Sequence, residues 1–363
     1  MVSYFDVINE VVKLVIKKQM VDWQTYLLNS DILCTLVKTF VIAYNDKNKL
    51  GKKAIHFYTQ NTVMDELVSD TRCLVLSMVY ELVREVLTKT NAGPLGYHKT
   101  AFKDTVGDLA VVICESLIDT ANQQGTIYQL IELGDFISKS ILLQIKFVGG
   151  ICTKNNLFFT TFQNYGELMF KMIVIPLTKI SPTESEKLED DPQEFVNYAM
   201  DLVGFHRSET PKSEAINMFE FLVENVDGFL TKCFHLLFGM LTETVSQVEG
   251  EVSRNLASVD KLKLLTPVDR IDIALLLLTA VSYVVCSRDD LLAMIKGFVL
   301  GHMDKLLSLD SVLLQTRLML FFTNYSEYLF EVEADAKYMQ LMMKHISACL
   351  LHVDTQPVVV YCY

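Results

Sequence analysis

A helical spacing of apolar residues runs along almost the whole chain, and little in the sequence interrupts it. Apolar residues recur at i, i+3, i+4 and i+7, the pattern of a helix with one buried face. Only 15 Gly and 7 Pro occur in 363 residues, so helix interiors are seldom broken. No series of short alternating segments separated by Asn-Gly or Asp-Gly turns is present, which leaves few candidate strands. The periodicity predicts helices over 5–18, 31–44, 62–88, 101–121, 126–147, 158–177, 194–203, 212–226, 230–248, 268–286, 291–307, 312–330 and 334–352. So many helices of similar length in series, joined by short polar connections, suit a stack of antiparallel pairs better than a compact bundle.

Three helix starts look alike: SDTRCLVLSMVYELV from Ser69, ETPKSEAINMFEFLV from Glu209 and LDSVLLQTRLMLFFTNY from Leu309. Each offers an N-cap residue, an early cation and then an apolar stripe. Their separations, roughly 140 and 100 residues, approximate three and two multiples of the ~40–47-residue HEAT or armadillo unit. The expected fold is therefore all-α, a HEAT/armadillo-like helical solenoid of antiparallel helix pairs. Its two halves, 1–180 and 181–363, are expected to meet at an acidic connector, 181–193.

Charge and composition narrow the function. With 51% hydrophobic and 21% charged residues, this is a chain that buries a core. A net charge of −12 argues against nucleic-acid binding, which needs a basic footprint for phosphates, and suits either basic protein partners or simple solubility. Eight cysteines stand singly, with no CxxC pair, and read as small hydrophobes in a reducing compartment. The apolar run IALLLLTAVSYVVC, from Ile273 to Cys286, is about fourteen residues, short of the roughly twenty that span a bilayer. Asp272 and the RDD run from Arg288 close it at both ends, so a buried helix is expected and no membrane insertion.

Catalytic signatures are missing from the sequence. None of the seven histidines lies in HExxH or beside a Cys or carboxylate at metal-ligand spacing. The glycines of NAGPLGYHK lack the P-loop arrangement, and no GxSxG elbow occurs. The expectation is a binding protein, not an enzyme, with no cofactor and no metal.

The centre of the chain reads PLTKISPTESEKLEDDPQEFVNYAMDL, from Pro176 to Leu202. Asp191 can cap a helix there, Pro192 suits its first position, and Glu194 stands where a capping box places an acid. Phe195 and Val196 can anchor that helix. This run, with Asp190, Asp191, Pro192, Glu194, Phe195, Val196 and Tyr198, resembles the "(E/D)DPxEF(V/I)xY" pattern of importin-β (karyopherin) receptors, in particular the importin-7/8/9 and exportin-2 (CAS) group. Downstream, Lys212 stands where an Arg is commoner in the family's "SxRxxAxxLL" stretch. Arg317, in SLDSVLLQTRLMLFFTNY, takes the place of the family's "LLRARxxWxLxxF" arginine, with Gln315 and Leu320 or Phe321 departing from the pattern.

The resemblance covers about 173–351 and implies a nuclear transport receptor. Such a protein shuttles between cytoplasm and nucleus through the nuclear pore. It binds protein cargo, often basic, and the Phe-Gly repeats of nucleoporins, and it answers to the GTPase Ran. These receptors are usually far longer, so a central portion is expected, without the amino-terminal arch that grips Ran. Glu184, Glu186, Glu189, Asp190 and Asp191 are candidates for contact with cargo or Ran, or else a solvated inter-repeat loop. Pro192, Phe195, Tyr198 and Arg317 are candidate structural positions. The other reading of the same features is a HEAT-repeat scaffold subunit of a stable protein complex.

Overall fold

The computed structural model describes residues 165–204, 210–247, 265–309, 311–330 and 335–351, with isolated positions at 14, within 111–118 and within 142–148. The helices expected at 31–44 and 62–88, most of those at 5–18, 101–121 and 126–147, and the segment at Ser69 lie outside the described residues. The chain divides into two compact units, Met1–Met169 and Phe170–Tyr363. In the first unit the Tyr165 hydroxyl donates to Glu115 Oε1 at 2.8 Å.

The second unit, as described, is all-α. A π-helical turn, Phe170–Val174, runs into α1 (Ile175–Thr178). Pro176 has no N–H to give the Met172 carbonyl, and the ladder widens just before it. Then come α2 (Pro182–Asp190), α3 (Pro192–Val203), α4 (Pro211–Asn225) and α5 (Phe229–Ser246). They are followed by α6 (Pro267–Ala280), α7 (Ser282–Val285), α8 (Asp289–Leu307), α9 (Val312–Leu329) and α10 (Ala336–Leu351).

Two of these differ from the sequence expectation. The stretch 181–193, expected as a connector, is mostly the helix α2, because Ser181 and Glu184 close a capping box and Pro182 occupies N1. The single helix expected over 268–286 breaks at Val281, whose φ and ψ are −103° and 18°. Just before the break the Thr279 hydroxyl donates to the Leu275 carbonyl at 2.6 Å, a bond of the kind that bends helices.

Side-chain pairs set the helix directions. Lys212 of α4 interacts with Asp272 of α6, and Tyr283, just past α6, with Glu224 at the end of α4. Arg317 of α9 meets Asp272, and Tyr325 donates to the Leu278 carbonyl at 2.8 Å. Both sets advance together along the chain, so α4, α6 and α9 run parallel in one layer. In the other layer, Phe238 of α5 packs edge-on to Phe298 of α8 at 5.6 Å, and Ser246 approaches His302 at 3.5 Å, so these two helices also run parallel. The tight turn between α4 and α5 needs Gly228, whose φ of 73° lies in the left-handed region.

The core between the layers is apolar. The run Ile273 to Leu278 is wholly buried, which is what the sequence's most hydrophobic stretch is for. Phe219 of α4 stacks on Phe170 at 5.1 Å and approaches Phe229 of α5 at 6.4 Å, tying the π-helical turn to the first helix pair. Within α8, the backbone leaves helical angles at His302, and its Nδ1 lies 3.1 Å from the Phe298 carbonyl.

Phe219 is fully buried with an aromatic on two sides, so Phe219→Ala opens a cavity the fold cannot close. The expected cost is about 3–5 kcal/mol, read from urea unfolding followed by far-ultraviolet circular dichroism. A loss below about 1 kcal/mol would show that this aromatic trio is not part of the core.

Candidate functional site: a buried ionic network behind an acidic helix

The residues singled out in the sequence fall on two sides of one short helix. On α2, Glu186, Glu189 and Asp190 are exposed, and at i, i+3 and i+4 they share a face. Asp191, also exposed, ends α2 and caps α3: its Oδ1 accepts from the Glu194 N–H at 2.9 Å. The reciprocal half of the expected capping box does not form. Glu194 pairs instead with Lys187, and the Asp191 N–H donates to the Lys187 carbonyl at 2.9 Å. That exposed pair adds at most about 1 kcal/mol. Pro192 is the first residue of α3.

Glu184 belongs elsewhere, and its candidacy as a surface contact is corrected by its position. It is only 7% exposed and faces the protein interior. Its carboxylate closes the α2 capping box, accepting from the Ser181 N–H at 2.7 Å, while its own N–H donates to Ser181 Oγ at 3.0 Å. The same carboxylate takes Lys212 Nζ of α4 at 2.7 Å on Oε1, 28 residues away in sequence. The Tyr198 hydroxyl of α3 donates to it as well.

A second ion pair continues from the first. Arg317 Nε of α9 donates to Asp272 Oδ1 of α6 at 2.8 Å, with both side chains at most 1% exposed. The Arg317 guanidinium lies 5.8 Å from the centroid of the Phe195 ring of α3, within cation–π range. Lys212 feels both Asp272 and Arg317. The result is a neutral buried set of two carboxylates and two cations, drawn from α2, α4, α6 and α9, with Tyr198 and Phe195 of α3 against it. Phe195 and Ala199 form an apolar cluster with Leu313, over which Ile180 and Leu188 pack.

The electrostatics follow from burial. Desolvation alone would raise the Glu184 carboxyl, but the Lys212 charge and the bonds from Lys212, Tyr198 and the Ser181 N–H hold it below its ordinary value. Burial, followed by the charge of Glu184, pushes the Tyr198 phenol up. Burial draws Lys212 down against the attraction of Glu184. Among the described residues no cluster of His, Cys, Asp and Glu is placed to hold a metal ion. The arrangement can pin helices together.

A smaller copy of the device lies nearby. Asp269 closes the α6 capping box with Thr266 and also takes Lys179 at 3.1 Å. In both places one N3 carboxylate serves a helix cap and a lysine from another element. Sequence reasoning missed Asp272 and Asp269 as interior groups. The signal was there: an acid between Ile271 and Ile273, at the edge of the most apolar run, needs a cation. Lys212 was noticed, but its partner was not.

Two outcomes are expected at the first pair. Lys212→Met leaves Glu184 buried without its cation and costs about 3–5 kcal/mol in urea unfolding. Glu184→Gln combined with Lys212→Met recovers most of that, since the amide keeps an acceptor for Ser181 and Tyr198. Equal losses in the single and double variants would mean that the charges are not coupled. The second outcome concerns pH. Because the folded-state carboxyl of Glu184 sits below its ordinary 4.5, its stabilisation is complete above that value and is lost as pH falls through the lower one. Unfolding midpoints measured from pH 6 to 2 should therefore fall less steeply below about pH 4.5 in Glu184→Gln than in the unaltered chain.

No protein family, curated protein or solved structure matches this chain, so its function must be argued from its own residues.

Proposed function

We propose that the chain is a nuclear transport receptor of the importin-β kind, a HEAT-like helical solenoid that binds protein cargo and nucleoporin Phe-Gly repeats. The observation that carries this reading is a meeting of motifs. The DDPQEFVNY segment and the Arg317 helix, the two sequence stretches on which the resemblance rests, pack on each other through Phe195 and Arg317. Segments that resemble one family separately gain weight when they form one structural unit.

The helix arrangement supports the same reading. Parallel helices within each of two layers, with the short turn at Gly228 joining α4 to α5, are what stacked antiparallel pairs produce. In a stack of this kind each pair touches its neighbours and shallow apolar grooves run between adjacent helices. Such grooves suit a phenylalanine side chain presented on a flexible strand. Exposed carboxylates at Glu186, Glu189, Asp190 and Asp191 suit a basic cargo or Ran, through complementary potential.

Retention of the purified chain on immobilised Phe-Gly nucleoporin repeats, and not on the same repeats with Phe replaced by Ser, is the expected result. Failure to be retained, by a preparation whose circular dichroism shows it folded, would overturn the pore-binding reading and favour a scaffold subunit of a stable complex. Raising the salt separates the two contacts: cargo binding through the acidic face weakens, and the Phe-dependent retention persists.

A further inference from the structure

We infer that α2 is a detachable strap, fastened by the buried Glu184–Lys212 pair, which opens as a unit while the helices beneath it stay folded. The inference concerns α2 alone and does not require the transport reading.

A helix of nine residues is not stable by itself and ordinarily stays on a protein by burying an apolar stripe. α2 has no such stripe. From Pro182 to Asp190 the single buried side chain is that of Glu184, a charge. Leu188 is only half-buried, packed at the edge of the Phe195 cluster. The bond from Lys187 to Glu194 of α3 is exposed on both sides and adds little. α6, by contrast, buries every side chain from Ile271 to Ala280. Segments that bury little apolar surface are the first to open.

Both ends of α2 can bend. The backbone leaves helical angles at Lys179 (φ −56°, ψ 142°) and again at Asp191 (φ −137°, ψ 80°). Outside these points the chain is fixed. Lys179 pairs with Asp269 at 3.1 Å, and α3 buries Phe195, Val196, Ala199 and Leu202. The strap is thus anchored on either side and held between by one ion pair.

The two ion pairs of the network differ in whether they can part. Arg317 and Asp272, 1% and 0% exposed, separate only if α9 is pulled from α6, which strands charge in an apolar interior. Glu184 and Lys212 separate when α2 alone lifts away, and both charges then meet water. Their regained hydration offsets part of the lost attraction. Opening withdraws Glu186, Glu189 and Asp190 as an ordered row and uncovers the Lys212 ammonium and the Tyr198 hydroxyl. An acidic surface gives way to one that offers a cation.

Hydrogen exchange of the whole chain, read by mass spectrometry of peptic fragments at increasing low urea, tests the strap. Amides of α2 should exchange at a rate that scarcely changes with urea, through an opening that exposes little surface. Those of α6 should exchange only through global unfolding, at a rate that rises steeply with urea. Lys212→Met should speed exchange in α2 at least about hundredfold. Phe219→Leu, in the core, should speed exchange in α6 by about tenfold and leave α2 unchanged. The urea series on the unaltered chain decides the matter even if a variant fails to fold.

Exchange of α2 and α6 in step at every urea concentration would overturn the inference, because α2 would then open only when everything does. Equal acceleration of both helices by Phe219→Leu would have the same meaning. An effect of Lys212→Met on α2 below about tenfold would show that the ion pair is not the fastening.

Discussion

The pairing of Glu184 with Lys212, and of Asp272 with Arg317, is the constraint around which the described structure is arranged. Taking four charges out of water is costly, and their mutual attraction offsets that cost only when every member is present and well placed. The set is neutral, and its members come from four helices. Slipping α9 along α6 by one turn would carry Arg317 about 5 Å from Asp272 and leave two buried charges exposed to an apolar interior. Hydrophobic faces alone tolerate such slips, because Leu against Leu is much the same a turn further on. The ion pairs therefore define the register of α4, α6 and α9, and the apolar core supplies most of the stabilisation.

Their location is tied to the helix ends. α2, α4 and α6 each begin with a Ser or Thr cap, a proline at N1 and a polar residue that returns a bond to the cap. The orphan N–H groups and the positive end of the helix dipole favour carboxylates in the first turn, and Glu184 and Asp269 are placed there. Lys212, second residue of α4, is on the wrong end for its charge. It is tolerated because Glu184 faces it across the interface. One carboxylate that serves both a cap and a neighbouring lysine makes the start of one helix depend on the packing of another. Local and tertiary structure are thereby coupled at these positions.

Much of the helical architecture was legible in the sequence because it depends on local pattern. The expected helices over 212–226, 230–248, 291–307 and 312–330 agree with α4, α5, α8 and α9 to within a few residues at their ends. The acidic run after Ser181 was misread as a connector because its charge density outweighed a signal that was present, the Ser-Pro-Thr-Glu of a capping box. The break at Val281 had no comparable marker, since threonine and valine continue a helix as often as they bend one. The network itself was not legible. Nothing in a single sequence states that Glu184 will face a lysine 28 residues on, or Asp272 an arginine 45 residues on. Those pairings depend on the order and direction in which helices stack, which periodicity does not encode.

The burial of Glu184 changes what the acidic segment can do. As a flexible loop, its carboxylates would each lose conformational freedom on meeting a partner, and that loss would cancel much of the attraction. Instead α2 is fixed on its inner side by Glu184 and by Leu188 against the Phe195 cluster. Glu186, Glu189 and Asp190 are consequently presented at helical spacing on a surface that is already ordered. Asp191 follows at the junction with α3, held by its role as a cap. A preordered row of carboxylates selects partners by the spacing of their cations as well as by net charge. On the transport-receptor reading, that makes the buried ion pair the means by which this surface discriminates among basic sequences, although it touches none of them.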